Sequence, residues 1–166
     1  MGFWVTGNAG ASAACIKGFA ALAMAVGLGV TSQATQAQTQ ISYAPETLVV
    51  RNDRGGLLRE RLLQLGQLRK QNRPVEIRGA ICFSTCTMFL GLPNTCISPN
   101  TTFGFHGPSS YGRPLDTVTF NRASKVIANY YPESLKQWYM AEGRFKIRSI
   151  SRVKGENIIK MGIRAC

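Results

Sequence analysis

The sequence predicts an α/β layered domain with a largely parallel sheet flanked by helices. Three observations carry that expectation. Short apolar runs rich in β-branched residues alternate with longer runs whose apolar residues recur at helical spacing. Turns bearing glycine stand at two strand-to-helix junctions, in 52–56 and 79–87. Beyond the first 40 residues, no internal repeat or low-complexity segment interrupts the alternation.

The elements follow in order. Residues 41–45 read as an extended lead-in, Thr47–Arg51 as a short strand, and Asn52-Asp53-Arg54-Gly55-Gly56 as a loop of turn formers. Leu57–Gln71 is the clearest helix. Leu58, Leu62, Leu65 and Leu68 form its stripe, with Arg59, Arg61, Arg69 and Lys70 largely off it. Pro74 punctuates the chain and Val75–Arg78 returns as a strand. A short helix is expected over Thr85–Leu90, ended by Gly91 and Pro93. Cys96–Ser98 and Thr102–Phe105 are strand candidates, and Gly107–Pro114 is a loop. Thr117–Tyr130 is helical, with Phe120, Ala123, Ile127 and Tyr130 on one face. A second helix follows Pro132, carries Leu135, Trp138 and Tyr139, and stops near Gly143. Phe145–Ile150 alternates like a strand, and Glu156–Met161 reads as a last helix capped by Gly162.

At 166 residues the chain is one domain by length. Residues 1–40 hold no acid and one base, Lys17, before an apolar run from Phe19 to Val30. Small and polar residues follow from Thr31 to Gln38. That is the layout of a secretory signal peptide, with cleavage expected after Ala34 or Ala37. The expected organisation is therefore a signal peptide over 1–37 and a single domain over 38–166, exported to the periplasm or beyond. The apolar run is short for a bilayer and no charge cluster follows it, which disfavours a membrane anchor. Cys15 precedes the apolar run instead of ending it, which argues against a lipoprotein site.

The formal net charge is +12, and +11 once Lys17 is lost with the leader. Such an excess favours anionic surfaces. The basic residues are scattered and no nucleic-acid motif occurs, so no specific nucleic acid is expected. Cys82, Cys86, Cys96 and Cys166 remain after the leader. In an oxidising compartment they favour two disulfides, with three connectivities open. Three residues separate Cys82 from Cys86 and the single histidine lies elsewhere, which disfavours zinc.

Gly55-Gly56 lies between a strand-like run and a helix, and Ser84 sits at a second strand-to-helix turn. His106, the only histidine, ends a third apolar run before Gly107-Pro108. Glycines at a helix start can aim backbone N–H groups at an oxyanion. A serine on a tight turn is exposed for attack, and a histidine can take its proton. Separately, each residue has a plain structural use: serine caps helices, a histidine satisfies a buried hydrogen bond, glycines permit a tight turn.

In order and spacing these elements resemble the Clp protease proteolytic subunits of the ClpP/crotonase-like superfamily. The 52–56 loop resembles that family's Asn-Ser-Pro-Gly-Gly loop, and Gly79 to Thr87 its glycine–small–small–serine nucleophile turn. Phe105-His106-Gly107-Pro108 resembles its Ile-His-Gln-Pro motif, and residues 156–163 its late Glu-Ala…Gly-Leu segment. The likeness spans about residues 47–163 and implies an abbreviated ClpP/crotonase-like fold. It also implies Ser84 as nucleophile, His106 as general base, and Gly56 and Thr85 as the backbone oxyanion donors. The family's third catalytic residue is an aspartate matching about 141–149. This chain offers only Glu142 there, and Arg54 replaces the loop proline. The family's first strand–helix unit is missing before Thr47. For the cysteines, the resemblance implies Cys96–Cys166, leaving Cys82–Cys86. Cys86–Cys96 with Cys82–Cys166 stays open.

The function expected is an exported serine hydrolase, a peptidase or esterase working through a Ser–His acyl-enzyme. The rival is a catalytically silent domain of the same fold that binds an anionic envelope polymer or lipid. Expected partners are a peptide or ester substrate, such an envelope component, and a further copy of the chain as homo-oligomer. No cofactor or metal is expected. Coenzyme A chemistry of the crotonase kind is disfavoured, since that cofactor is not expected outside the cytoplasm.

Overall fold

A computed structural model describes residues 45–166, and the expected leader over 1–37 lies outside the described residues. The described chain is an α/β fold. Its strands are β1 Leu48–Val50, β2 Val75–Ile77, β3 Ile81–Phe83, β4 Thr95–Ile97, β5 Thr102–Phe105 and β6 Ser151–Lys154. Its helices are α1 Leu58–Lys70, α2 Thr117–Ala128, α3 Glu133–Ala141 and α4 Gly155–Lys160. A 3-10 helix over Ser84–Gly91 stands where the short helix was expected.

The expected sheet is divided into two three-stranded sheets, ordered β1-β2-β4 and β3-β5-β6. The first is wholly parallel, and in the second β3–β5 is parallel and β5–β6 antiparallel. The division follows one line across neighbouring segments. Asn52 has φ +48°, and its side-chain oxygen accepts from Ala80 N–H at 2.8 Å. A Cβ on Gly79 would strike the backbone of Asn52 and Arg51. Pro99, in the third segment, has no N–H to give to a ladder. Past the break the chains stay neighbours: Asp53 bridges to Cys82 in parallel, and Thr101 Oγ1 donates to Gly79 O at 2.6 Å.

Leu65 and Leu68 of α1 are buried, with Leu58 and Leu62 packed half-buried against the same core. Val75, Ile77, Ile97, Phe103 and Phe105 come from the sheets, and Leu135 and Tyr139 from α3. Arg61 departs from expectation. It is only 9% exposed, because four residues before Leu65 lies on the apolar stripe and not off it.

The strand expected over Phe145–Ile150 does not form. Gly143–Phe145 is one 3-10 turn, and the edge strand begins at Ser151. Its apolar residues have another use, since Ile147 and Ile150 lie against Gly107 and Gly104. Arg144 stacks on Phe145 at 4.6 Å and on Phe120 at 5.4 Å, while Lys146 O accepts from Gly107 N–H at 2.9 Å. Gly162, with φ +101°, closes α4 as its position suggested.

The cysteines stand as Cys82–Cys86 and Cys96–Cys166, with Cα atoms 5.3 and 4.9 Å apart. The second pair is reinforced by backbone bonds from Ile97 N–H to Arg164 O and from Cys166 N–H to Ile97 O, each 3.0 Å. Paired cysteines fit an oxidising compartment outside the cytoplasm. Among the described residues, no helix is long and apolar enough to cross a membrane.

Candidate active site

Gly55-Gly56, Ser84 and His106 follow the carboxyl ends of three neighbouring segments, where parallel α/β sheets place their sites. Register brings them together: Asp53 pairs with Cys82, and Phe83 with Gly104. Ser84 then comes out of β3 just ahead of the point where His106 leaves β5. Gly56, Ser84, Thr85 and His106 line one cavity of about 360 Å³.

Ser84 turns the chain sharply. Its φ is +56°, a left-handed value that non-glycine residues adopt rarely and at a cost of about 1–2 kcal/mol. The turn is held on both sides. Cys82 and Cys86 are bonded across it, and Thr87 Oγ1 donates to Ser84 O at 2.7 Å. Gly55, with φ +90°, presses against it. A Cβ built there would lie 2.5 Å from Ser84 Cβ and 3.0 Å from Ser84 Oγ. Only glycine fits at that approach.

Two backbone N–H groups stand at the paired turns. Gly56 N–H has no hydrogen-bond partner among the described residues. Thr85 N–H lies in the first turn of the 3-10 helix, where helical N–H groups lack intrahelical acceptors. Thr85 Oγ1 is 3.4 Å from Gly56 O, which ties the two turns together.

His106 Nδ1 is 2.7 Å from Gly107 O. A carbonyl can only accept, so Nδ1 is the donor in this contact, which leaves Nε2 as the ring atom for any other partner. The backbone at His106 is tied to an aromatic cluster. Tyr131 packs edge-on against Phe105 and Tyr139, and Tyr139 OH donates to His106 O at 3.3 Å. Burial pushes the Tyr131 and Tyr139 hydroxyls well above their ordinary pKa. Tyr131 also lines the cavity and shares a 2.7 Å hydrogen bond with Thr87 Oγ1. Ser84 and His106 share the cavity without a hydrogen bond between them.

Glu142 is not brought to the site. It ends α3 on the exposed surface and makes no hydrogen bond with His106 among the described residues. The 142–146 segment meets the histidine loop through backbone instead. Lys146 O takes Gly107 N–H, and Arg144 O lies where a Cβ on Gly107 would fall. The acceptor on Nδ1 is therefore a backbone carbonyl in place of the expected carboxylate.

Asp53, Arg61, Thr87 and Tyr131 stand around the site without belonging to the motifs that point to it. Asp53 had a signal: Asp-x-Gly is an Asx-turn pattern, and its Oδ1 accepts Gly55 N–H at 2.7 Å. Arg61 had one in its helical spacing. Among the described residues, no cluster of three or more His, Cys, Asp or Glu side chains is arranged to hold a metal. No protein-family profile matches this chain, and no curated protein matches it in sequence.

Proposed function

We propose that this chain is an exported serine hydrolase of ClpP/crotonase-like type, acting on peptide or ester bonds with a neutral, apolar acyl portion. The observation that carries the reading is Ser84, held at φ +56° on a strand-to-helix turn and sharing one cavity with His106. In this reading Ser84 Oγ bonds to the substrate's carbonyl carbon while His106 Nε2 takes the hydroxyl proton. The carbonyl electron pair moves onto oxygen, where Gly56 and Thr85 N–H groups receive it. The intermediate collapses, His106 returns the proton to the departing amine or alcohol, and water then releases the acyl group by the same steps.

The acyl preference follows from the cavity wall. Leu57, Leu58, Ile127 and Tyr131 supply it, and among the described residues no Asp, Glu, Lys or Arg side chain lines it. Gly107 O fixes the tautomer of His106 but carries no full negative charge to stabilise the imidazolium. The expected rate is therefore below that of a carboxylate-backed triad.

A fluorophosphonate probe tests the reading on purified protein. The wild type should be labelled at Ser84, and Ser84→Ala should lose labelling with little change in melting temperature. Ser84→Gly should also lose it, while melting slightly higher because glycine relieves the left-handed turn. His106→Ala should lower labelling by a factor similar to Ser84→Ala. An unlabelled wild type would reject the hydrolase. The second reading, a silent domain binding an anionic envelope polymer or lipid, draws on the +12 charge. It requires an unlabelled wild type that binds acidic vesicles or polymers.

A further inference from the structure

Asp53 makes three bonds that converge on the surroundings of Ser84. Its Oδ1 accepts Gly55 N–H at 2.7 Å, and its carbonyl accepts Phe83 N–H at 2.9 Å. Its Oδ2 meets the Arg61 guanidinium at 2.5 Å. Phe83 immediately precedes Ser84, and Gly55 is the residue packed against the serine's Cβ. One aspartate thus joins the loop that carries Gly56 to the strand that carries the nucleophile.

Arg61 extends the link to the helices. It lies on α1, which opens just after Gly55-Gly56, and donates to Gln64 Oε1 at 2.7 Å. Its guanidinium stacks 4.4 Å above the ring of Phe89, itself buried in the 3-10 helix that begins at Ser84. Burying a charge this far is costly even when it is paired. A leucine at this position of the stripe would fill the same place without that cost.

We propose that Asp53 and Arg61 are positioning residues, which hold the Gly56 N–H and Ser84 at the spacing oxyanion stabilisation needs. This rests on the Ser–His hydrolase reading above. Neither side chain lines the cavity, so both act through other groups. Asp53 Oδ1 sets the Asx turn that fixes the Gly55–Gly56 peptide. Arg61 fixes the carboxylate, and Phe89 fixes Arg61 to the helix of the nucleophile. Released from this chain of contacts, the Gly56 N–H swings away from the position where it serves. One such donor is worth about 10²–10³ in rate.

The test measures kinact and KI for a short-alkyl fluorophosphonate on the full chain, alongside the fraction of molecules that can be labelled. Asp53→Ala should lower kinact by about tenfold to a hundredfold with KI nearly unchanged. Asp53→Asn keeps an acceptor for Gly55 N–H but loses the ion pair, and Arg61→Lys keeps the charge but loses the planar stack. Both should fall between wild type and Asp53→Ala. Should Asp53→Ala fail to fold, these two near-isosteric variants carry the measurement. A merely structural role lowers the labelled fraction and leaves kinact at the wild-type value, and that result overturns the inference. A wild type that is never labelled overturns the hydrolase reading and this inference with it. A labelled wild type with undiminished kinact in the variants overturns this inference alone.

Discussion

Adding one methyl group at Gly55 probes the tightest approach in the site. In Gly55→Ala the new Cβ would stand 2.5 Å from Ser84 Cβ and 2.9 Å from the Phe83 carbonyl oxygen. Carbon atoms settle at about 3.5–4.0 Å, so an overlap on the order of 1 Å has to be relieved by moving one turn off the other. Overpacking of that kind costs about 1–3 kcal/mol. The φ of +90° adds a left-handed penalty of about 1–2 kcal/mol for any residue with a Cβ. Together these give about 2–5 kcal/mol, or a fall in melting temperature of roughly 8–20 °C for a domain of about 120 residues. Gly56→Ala is the matched control. Nothing lies within 4 Å of a Cβ there, so its stability should stay within about 0.5–1 kcal/mol of wild type, and its N–H is retained. Thermal melts by circular dichroism read the stability, and the fluorophosphonate reads the site. Gly55→Ala should be labelled at least tenfold more slowly per folded molecule. If Gly55→Ala melts with the wild type and is labelled at its rate, the proposed packing of the loop on the nucleophile is wrong.

The Cys96–Cys166 bridge spans 70 residues, and removing it as a double alanine variant should cost about 4 kcal/mol in the chain-entropy account. A denaturant midpoint equal to wild type would refute that role. The buried tyrosines set an alkaline limit on the fold. Tyr131 and Tyr139 ionise above their ordinary value of 10.0 when folded and near it when unfolded, so their contribution is intact below about pH 10 and is lost as the pH rises beyond. Their tyrosinate absorbance should therefore rise together with loss of the dichroism signal. Ionisation of all five tyrosines near pH 10 with the fold intact would contradict the burial argument.

Much of the fold was legible because local chemistry and tertiary packing agree. Thr102–Phe105 forms the strand its sequence suggests, and α1, α2 and α3 lie within a residue or two of their periodic runs. The division of the sheet was not legible. Asn52, Gly79 and Pro99 each announce a turn, but their alignment across neighbouring segments is a property of register, which no single stretch encodes. Phe145–Ile150 misled for a related reason. Alternation reports two environments, and here Ile147 and Ile150 lie against Gly107 and Gly104 while Lys146 and Arg148 stay exposed, without a ladder of their own. For the site, the order of glycines, serine and histidine was readable, while the partner on His106 Nδ1 was not. A side-chain carboxylate is visible in a sequence; a backbone carbonyl is carried by every residue.

The left-handed residues bear on why Ser84 stands where it does. Among the described residues, four non-glycine residues have positive φ: Asn52, Asn72, Ser84 and Tyr111. Asparagine tolerates that region, and both asparagines have a structural use for it. Asn52 receives the N–H of Ala80, and Asn72 receives the side chain of Asn94. Serine and tyrosine have no such tolerance, and both of these line the cavity. Tyr111 is moreover 89% exposed, so packing gives no reason for an aromatic ring at that turn. Backbone strain of about 1–3 kcal/mol per residue persists only where the surroundings enforce it, and it gathers at functional sites. In this chain the strain that side-chain chemistry does not excuse falls on two residues of one cavity. At Ser84 a glycine would satisfy the backbone better, and the hydroxyl is what a glycine would lose. The hydrolase proposal supplies a use for that hydroxyl, whereas a purely structural Ser84 leaves the strain without one.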